Sequence, residues 1–167
     1  AYEEYANKLN LSTAPSANIG RRYVGKAPIE WFESVAAEMN QPSKSTVSVE
    51  TTFDEATRLL TAVVTVTALE NLTGDAWRIS AVVTEDAVTG PAPYYNQQNI
   101  YATLYGYMGG YENLPNPIPA SRIAYDHVAR QLLGGYEGEA AFSTGLVAGQ
   151  SFAQTFTYYI PEEYDHN

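Results

Sequence analysis

From Thr46 the chain alternates: Val47, Val49 and Thr51 fall on one side, Ser48 and Glu50 on the other. That is the period of two expected of a half-buried strand. After a turn around Asp54-Glu55-Ala56, the run LLTAVVTVTAL over Leu59 to Leu69 is dense in β-branched residues. It predicts a central strand buried on one face and partly on the other. Turn residues follow from Asn71 to Asp75, and Trp77, Ile79, Ala81 and Val83 resume the alternation. As the next segment in sequence, it is expected to complete a three-stranded meander. Later strands are expected over Tyr125 to Leu133, Glu139 to Ser143 and Ser151 to Ile160, after a long insertion rich in Gly, Pro, Tyr and Asn over residues 87 to 122.

Residues 1 to 44 follow a different rule. Tyr2, Tyr5 and Leu9 are spaced for one helix, and Ile29, Phe32, Val35, Ala36 and Met39 form an apolar stripe on a second, with Glu30, Glu33 and Glu38 opposite. Pro28 suits the first turn of that helix and Pro42 stops it. Between the helices, Ala17 to Ile19 and Arg22 to Val24 flank Gly20 as two short strands. The chain therefore reads as helix, hairpin, helix over residues 1–44, then a mainly β domain over 45–167. Six strands and one long excursion suggest a sandwich with Greek-key connections. An apolar stripe of this size wants cover, so Ile29, Phe32, Val35 and Met39 are expected to dock onto the sandwich or onto a second copy, giving a possible homodimer.

Composition removes several functions. No apolar run approaches the roughly 18 residues that cross a bilayer as a helix. The 19 acidic residues outweigh 9 Lys plus Arg, for a net charge of -10. With Arg21-Arg22 and Lys26 as the densest basic spot, the chain lacks the clustered cations that bind nucleic-acid phosphates or anionic lipid surfaces. The absence of cysteine removes thiol chemistry and cysteine-based zinc sites. Ala1-Tyr2-Glu3-Glu4 has no signal-peptide character, so any export signal is expected outside this chain.

The candidate chemistry is sparse. Glu85-Asp86 ends a strand; Glu85 is expected to pair with Arg130 and Asp86 to accept from turn N–H groups. The sharper alternative gathers Glu85, Asp86, Asp126 and His127 around a divalent ion, but a hard cation needs six or more oxygens and no calcium loop is present. Asp126 and His127 are adjacent on an expected strand, so they point to opposite faces and do not build a triad; no nucleophile elbow is present. Gly134-Gly135 and Gly109-Gly110 fit turns and match no phosphate or dinucleotide loop. The chain is thus read as non-catalytic, with no metal and no cofactor. What stands out is the stretch from Tyr94 to Pro119, with Tyr94, Tyr95, Tyr101, Tyr105, Tyr107 and Tyr111 among Asn, Gln and Gly. Tyrosine among small polar residues suits recognition of proteins or sugars; the alternative is a loop packed down by its own rings.

The order VVTED (residues 82–86), Gln97 or Gln98, YDHVAR (residues 125–130) and LLGGYEG (residues 132–138) resembles the outer membrane protein 28 family, in which Glu85, Asp86, Gln97, Gln98, His127 and Arg130 would be motif positions of structural role. Asp126 stands where the family has Asn. The resemblance implies a lipoprotein of a Bacteroidetes-type outer membrane or cell surface, with a thioredoxin-like domain ahead of an immunoglobulin-like sandwich. STAPSANI (residues 12–19) then resembles the cis-proline segment of the thioredoxin fold, with Pro15 as the candidate. Residues 1–44 would be the end of that domain, and the lipid anchor would lie outside this chain. The expected function is a binding or assembly module for an envelope protein or glycan. The alternative is an accessory domain that recognises substrates for a thioredoxin-like disulfide-exchange protein. One further apolar strand is expected after YYIPEEYDHN; without it a sheet edge is open.

Overall fold

The computed structural model describes residues 2–9, 16–21, 23–25, 28–103 and 106–164, the side chains of 2–5, 23–25 and 28–30 excepted. In chain order the elements are α1 (Tyr2–Leu9), β1 (Ala17–Ile19), β2 (Tyr23–Gly25), α2 (Pro28–Met39), β3 (Ser45–Asp54), β4 (Leu59–Ala68), β5 (Arg78–Ile79), β6 (Ala81–Glu85), β7 (Val128–Leu133), β8 (Glu139–Ala140) and β9 (Ser151–Tyr159). The fold is mainly β with antiparallel sheets. Two compact units divide it: Ala1–Val83 with Gln131–Glu163, and Thr84–Arg130 with Tyr164–Asn167.

In the first unit β4 is the central strand of a β3-β4-β9 sheet. It pairs with β3 from Ser45↔Ala68 to Asp54↔Leu59 and with β9 from Leu59↔Tyr159 to Thr67↔Ser151, without a skipped residue on either side. Side chains alternate across a strand, and Ala62, Val64 and Ala68 are buried on one face of β4. Val64 and Phe156 of β9 meet Ile79 of β5, Leu133 of β7 and Ala141 just beyond β8 in the core; Trp77, Phe142 and Phe152 pack against them. The two Phe rings meet edge to face at 5.9 Å. Gly134 and Gly138 belong to the turn between β7 and β8, with φ of 81° and 74°. At either one a side chain would press on the carbonyl of Ile79, which is why this hairpin is glycine-rich.

The expected meander does not form. The segment from Trp77 to Glu85 breaks at Ser80 into β5, which pairs with β8, and β6, which pairs with β7. The second edge of β4 goes instead to β9, which offers a nine-residue ladder. Ile79, Ala81 and Val83 still reach the core, because the hydrophobic period specifies a face and leaves the partner open. The later strands are shorter than expected. β7 starts at Val128, since His127 has a left-handed backbone (φ 57°), and β8 ends at Ala140.

The order helix, hairpin, helix holds over residues 2–39, with Gly20 and Arg21 (φ 60° and 57°) turning the hairpin. Packing of α2 does not follow the expected stripe. Phe32, Val35 and Met39 are exposed, while Trp31, Ser34 and Glu38 form the half-buried face; the side chain of Ile29 lies outside the described residues. The helix leans on β1 and β2, three-residue strands too small to cover a twelve-residue amphipathic helix, and among the described residues the expected docking of Phe32, Val35 and Met39 is not seen. Pro15, the candidate cis-proline, lies outside the described residues. The cis bonds that are described precede Pro93 and Pro117.

Phe156→Ala is expected to destabilise the chain by about 3–5 kcal/mol, the usual loss for a buried ring, and Phe32→Ala by under about 0.5 kcal/mol, the usual range for an exposed site. Urea unfolding of the two variants checks this; equal losses would contradict the assignment of core and surface.

Candidate functional site

The second unit is built around two structures that position everything else in it. The first joins the motif residues. Ala87 and His127 both have left-handed backbones (φ 55° and 57°), a conformation that costs a side-chain-bearing residue energy unless its surroundings hold it. Each is held by the carboxylate of the opposite segment. The Ala87 N–H donates to Asp126 Oδ1 at 2.9 Å, and the His127 N–H donates to Asp86 Oδ1 at 2.6 Å. Charged acceptors make such hydrogen bonds short and strong. One residue away, Val88 and Tyr125 form an antiparallel bridge. On the other side Arg130 Nε donates to Glu85 Oε2 in a largely buried ion pair, and the guanidinium stacks on the Tyr164 ring at 4.6 Å. Glu85, Asp86, Asp126, His127 and Arg130 thus converge as a clasp. The acids are occupied by amides and an arginine. The His127 ring is exposed, with Nδ1 3.6 Å from Asp86. Among the described residues no three His, Cys, Asp or Glu side chains converge on a metal-sized site.

The second structure is a polar frame under the tyrosine-rich segment. Asn99 is 3% exposed. Its Nδ2 donates to the carbonyls of Tyr111, Leu114 and Pro115 at 2.8 to 3.3 Å, its Oδ1 accepts from Tyr101 N–H, and its own N–H donates to Asn116 Oδ1. A buried amide satisfied on every side specifies one loop conformation, since losing a partner would strand the others. Gln97 and Ile118 exchange both backbone bonds, and Ile118 is buried. Gln97 Oε1 also accepts from the Tyr125 hydroxyl at 3.3 Å, while Gln98 is exposed and accepts through its carbonyl from Gln97 Nε2. At the tip, Glu112 Oε2 accepts from the amides of Met108 and Gly110, both at 3.0 Å, and Oε1 accepts from Asn113 Nδ2.

The tyrosines divide on this frame. Tyr95 is half-buried, edge-on to Tyr125 at 6.2 Å, and its ring fills the space beside Gly90 that a side chain would occupy. Tyr101 is half-buried as well. Tyr94 and Tyr107 are 88% and 86% exposed, and Tyr111, Ile100 and Met108 are exposed with them. Tyr105 lies outside the described residues. Beside Tyr111 a cleft of about 370 Å³ is lined by Leu114, Ile118, Arg122 and Ile123. Among the described residues the Arg122 guanidinium has no hydrogen-bond or ion-pair partner. The first unit carries a larger open groove of about 970 Å³, bordered by Asp75, Arg78, Phe142 and Phe152, whose two rings are already engaged in the core. Sequence reasoning passed over Asn99, Glu112 and Arg122. The one signal for Asn99 is an Asn-x-Tyr step that can fold as an Asx turn.

Amides hold the Glu112 carboxyl below the ordinary value of 4.5: its own N–H has the largest effect, desolvation opposes it as the second largest, and the amides of Met108 and Gly110 and the Asn113 side chain together tip the balance downward. A depressed carboxyl contributes stability that is complete above its unfolded value and is lost as pH falls through the folded one. The Met108 and Gly110 amide resonances are therefore expected to titrate together with a midpoint below 4.5 and to lose that transition in Glu112→Gln. A midpoint at or above the ordinary value would contradict the clasp at the loop tip.

The chain was compared with known proteins by family, by sequence and by structure. No curated protein and no solved structure matches it. The family model for outer membrane protein Omp28 matches residues 2–167, spanning both units, the reciprocal aspartate clasp and the tyrosine-bearing frame. On that match the chain belongs to the Omp28 family of outer membrane proteins.

Proposed function

We propose that this chain is a non-catalytic recognition module of an outer-membrane lipoprotein, and that it contacts an envelope protein or glycan through Tyr94, Tyr107 and Tyr111. The observation that carries the reading is the pairing of exposed rings with a buried frame in one segment: Tyr94 and Tyr107 are almost fully exposed, while Asn99, between them in sequence, is almost fully buried. Rings presented on a fixed backbone lose little entropy on binding, which is how tyrosine-rich paratopes gain affinity. Arg122 and the cleft beside Tyr111 add a cation and a pocket, the means of gripping a carboxylate-bearing partner. In this reading Glu85, Asp86, Asp126, His127 and Arg130 are structural.

The same reading takes the strands as an immunoglobulin-like sandwich over residues 45–167 and residues 1–44 as the end of a thioredoxin-like domain. It rests on the antiparallel β3-β4-β9 sheet with one buried face, and on the order hairpin then helix in β1, β2 and α2. No helix among the described residues is long and apolar enough to cross a membrane, which is compatible with attachment through a lipid.

The test is a binding screen against solubilised outer-membrane proteins and a glycan panel, with the wild-type chain and the triple variant Tyr94→Ala, Tyr107→Ala, Tyr111→Ala. A saturable ligand whose affinity drops at least about tenfold in the variant, at unchanged melting temperature, is expected of central aromatic contacts. Full binding by the folded variant would reject the surface.

A further inference from the structure

Among the described residues β3 is an edge strand of ten residues, paired with β4 on one side only. Native proteins blunt such edges with proline, lysine, bulges or cover, and β3 has none of these: its register runs from Ser45 to Asp54 without a skip, and Glu50 is the one charge between its ends. Both of its faces are open. Val47 and Val49 are 63% and 55% exposed although they lie on the same face as the buried Val64 and Ala62 of β4. β9, the other edge of the sheet, differs. Its inward Phe152, Phe156 and Tyr158 are already packed in the core, so pairing there would bury little new apolar surface.

The phase of the ladder fixes which amides of β3 are open. Leu69 N–H donates to the carbonyl of Lys44 at 2.9 Å, and hydrogen-bonded pairs alternate with non-bonded ones along an antiparallel ladder. The even-numbered residues of β3 therefore bond to β4. Ser45, Val47, Val49 and Thr51 direct their N–H and C=O groups away from it.

We propose that β3 pairs with β3 of a second copy of this chain, antiparallel and centred on Val49. In that register Val49 faces Val49 and Val47 faces Thr51, so the outward amides at the centre of the strand meet one another. The ends select it over its neighbours. It places Lys44 opposite Asp54 of the other copy, once at each end, bringing together opposite charges that now serve local contacts, Lys44 with Glu70 and Asp54 with the amides of Ala56 and Thr57. Sliding the pair so that Glu50 meets Glu50 would put like charges face to face, which is destabilising. Sliding it the other way sets Asp54 against Pro42 and forfeits the ion pairs. The result is a six-stranded sheet with a two-fold axis at Val49, an isologous interface, in which the exposed Val47 and Val49 side chains become cross-strand neighbours.

Oligomeric state measured by sedimentation and light scattering tests this on the chain as it stands. Val49→Pro removes an N–H that points away from β4 and has no bond among the described residues, so the variant is expected to fold and to run as a monomer in place of a dimer. Because the chain has no cysteine, Val49→Cys gives a single thiol at the axis, where facing Cα atoms about 5.5 Å apart suit a disulfide. It is expected to cross-link on mild oxidation, while Val47→Cys, equally exposed but four residues from its symmetry mate, stays uncross-linked. A monomeric wild-type chain at high concentration, a dimer untouched by Val49→Pro, or cross-linking as efficient at Val47 would each overturn the proposal.

Discussion

Hydrogen bonding of β4 on both edges, with one face buried, is the constraint on which the first unit depends. A strand in that position cannot slip by one residue without turning Ala62, Val64 and Ala68 to the outside. Its register therefore fixes β3 and β9 together, from Asp54↔Leu59 and Leu59↔Tyr159 onward. β9 then delivers Phe156 to the same side as Val64, where Ile79, Leu133 and Ala141 close over them. The apolar transfer of these groups, about 1.5–3 kcal/mol for each fully buried large side chain, acts through the geometry that β4 imposes.

The second unit is organised by polar groups. Val88, Ile118 and Ala120 are its buried apolar residues, while Asn99, Asp86, Asp126 and Glu112 supply the specific contacts. Such networks fix a unique conformation because each member depends on the rest. That division suits a recognition surface. The segment is held by side chains bonded to its own backbone, and the Tyr94 and Tyr107 rings are exposed. Asp86 and Asp126 bridge the two segments of this framework through backbone amides, and Glu85 pairs with Arg130.

How much of this was legible in the sequence depended on the kind of pattern. The eleven-residue run from Leu59 to Leu69 indicated a central strand because a strand with one face buried and the other half-covered favours continuous β-branched residues. Trp77, Ile79, Ala81 and Val83 revealed a face toward the core but not the break at Ser80 or the partners β7 and β8, since periodicity carries no information about which strand lies alongside. The α2 stripe was legible as amphipathic, yet the helix settled on Trp31, Ser34 and Glu38. A pattern shows what would benefit from burial, and the available partner decides what is buried. Asn99 and Glu112 were not legible, because a buried hub and an ordinary loop residue are the same letter until the carbonyls around them are placed.

The central claim is that the frame under Asn99 presents a fixed aromatic surface to an envelope partner. Hydrogen–deuterium exchange of the chain, alone and with outer-membrane vesicles, tests it most directly. The account predicts slow exchange at the amides of Tyr101, Gly110 and Ile118 in the free chain, and added protection in the segment carrying Tyr94, Tyr107 and Tyr111 when vesicles are present. Fast exchange throughout that segment in the free chain, or protection by vesicles that falls elsewhere and leaves it unchanged, would contradict the account.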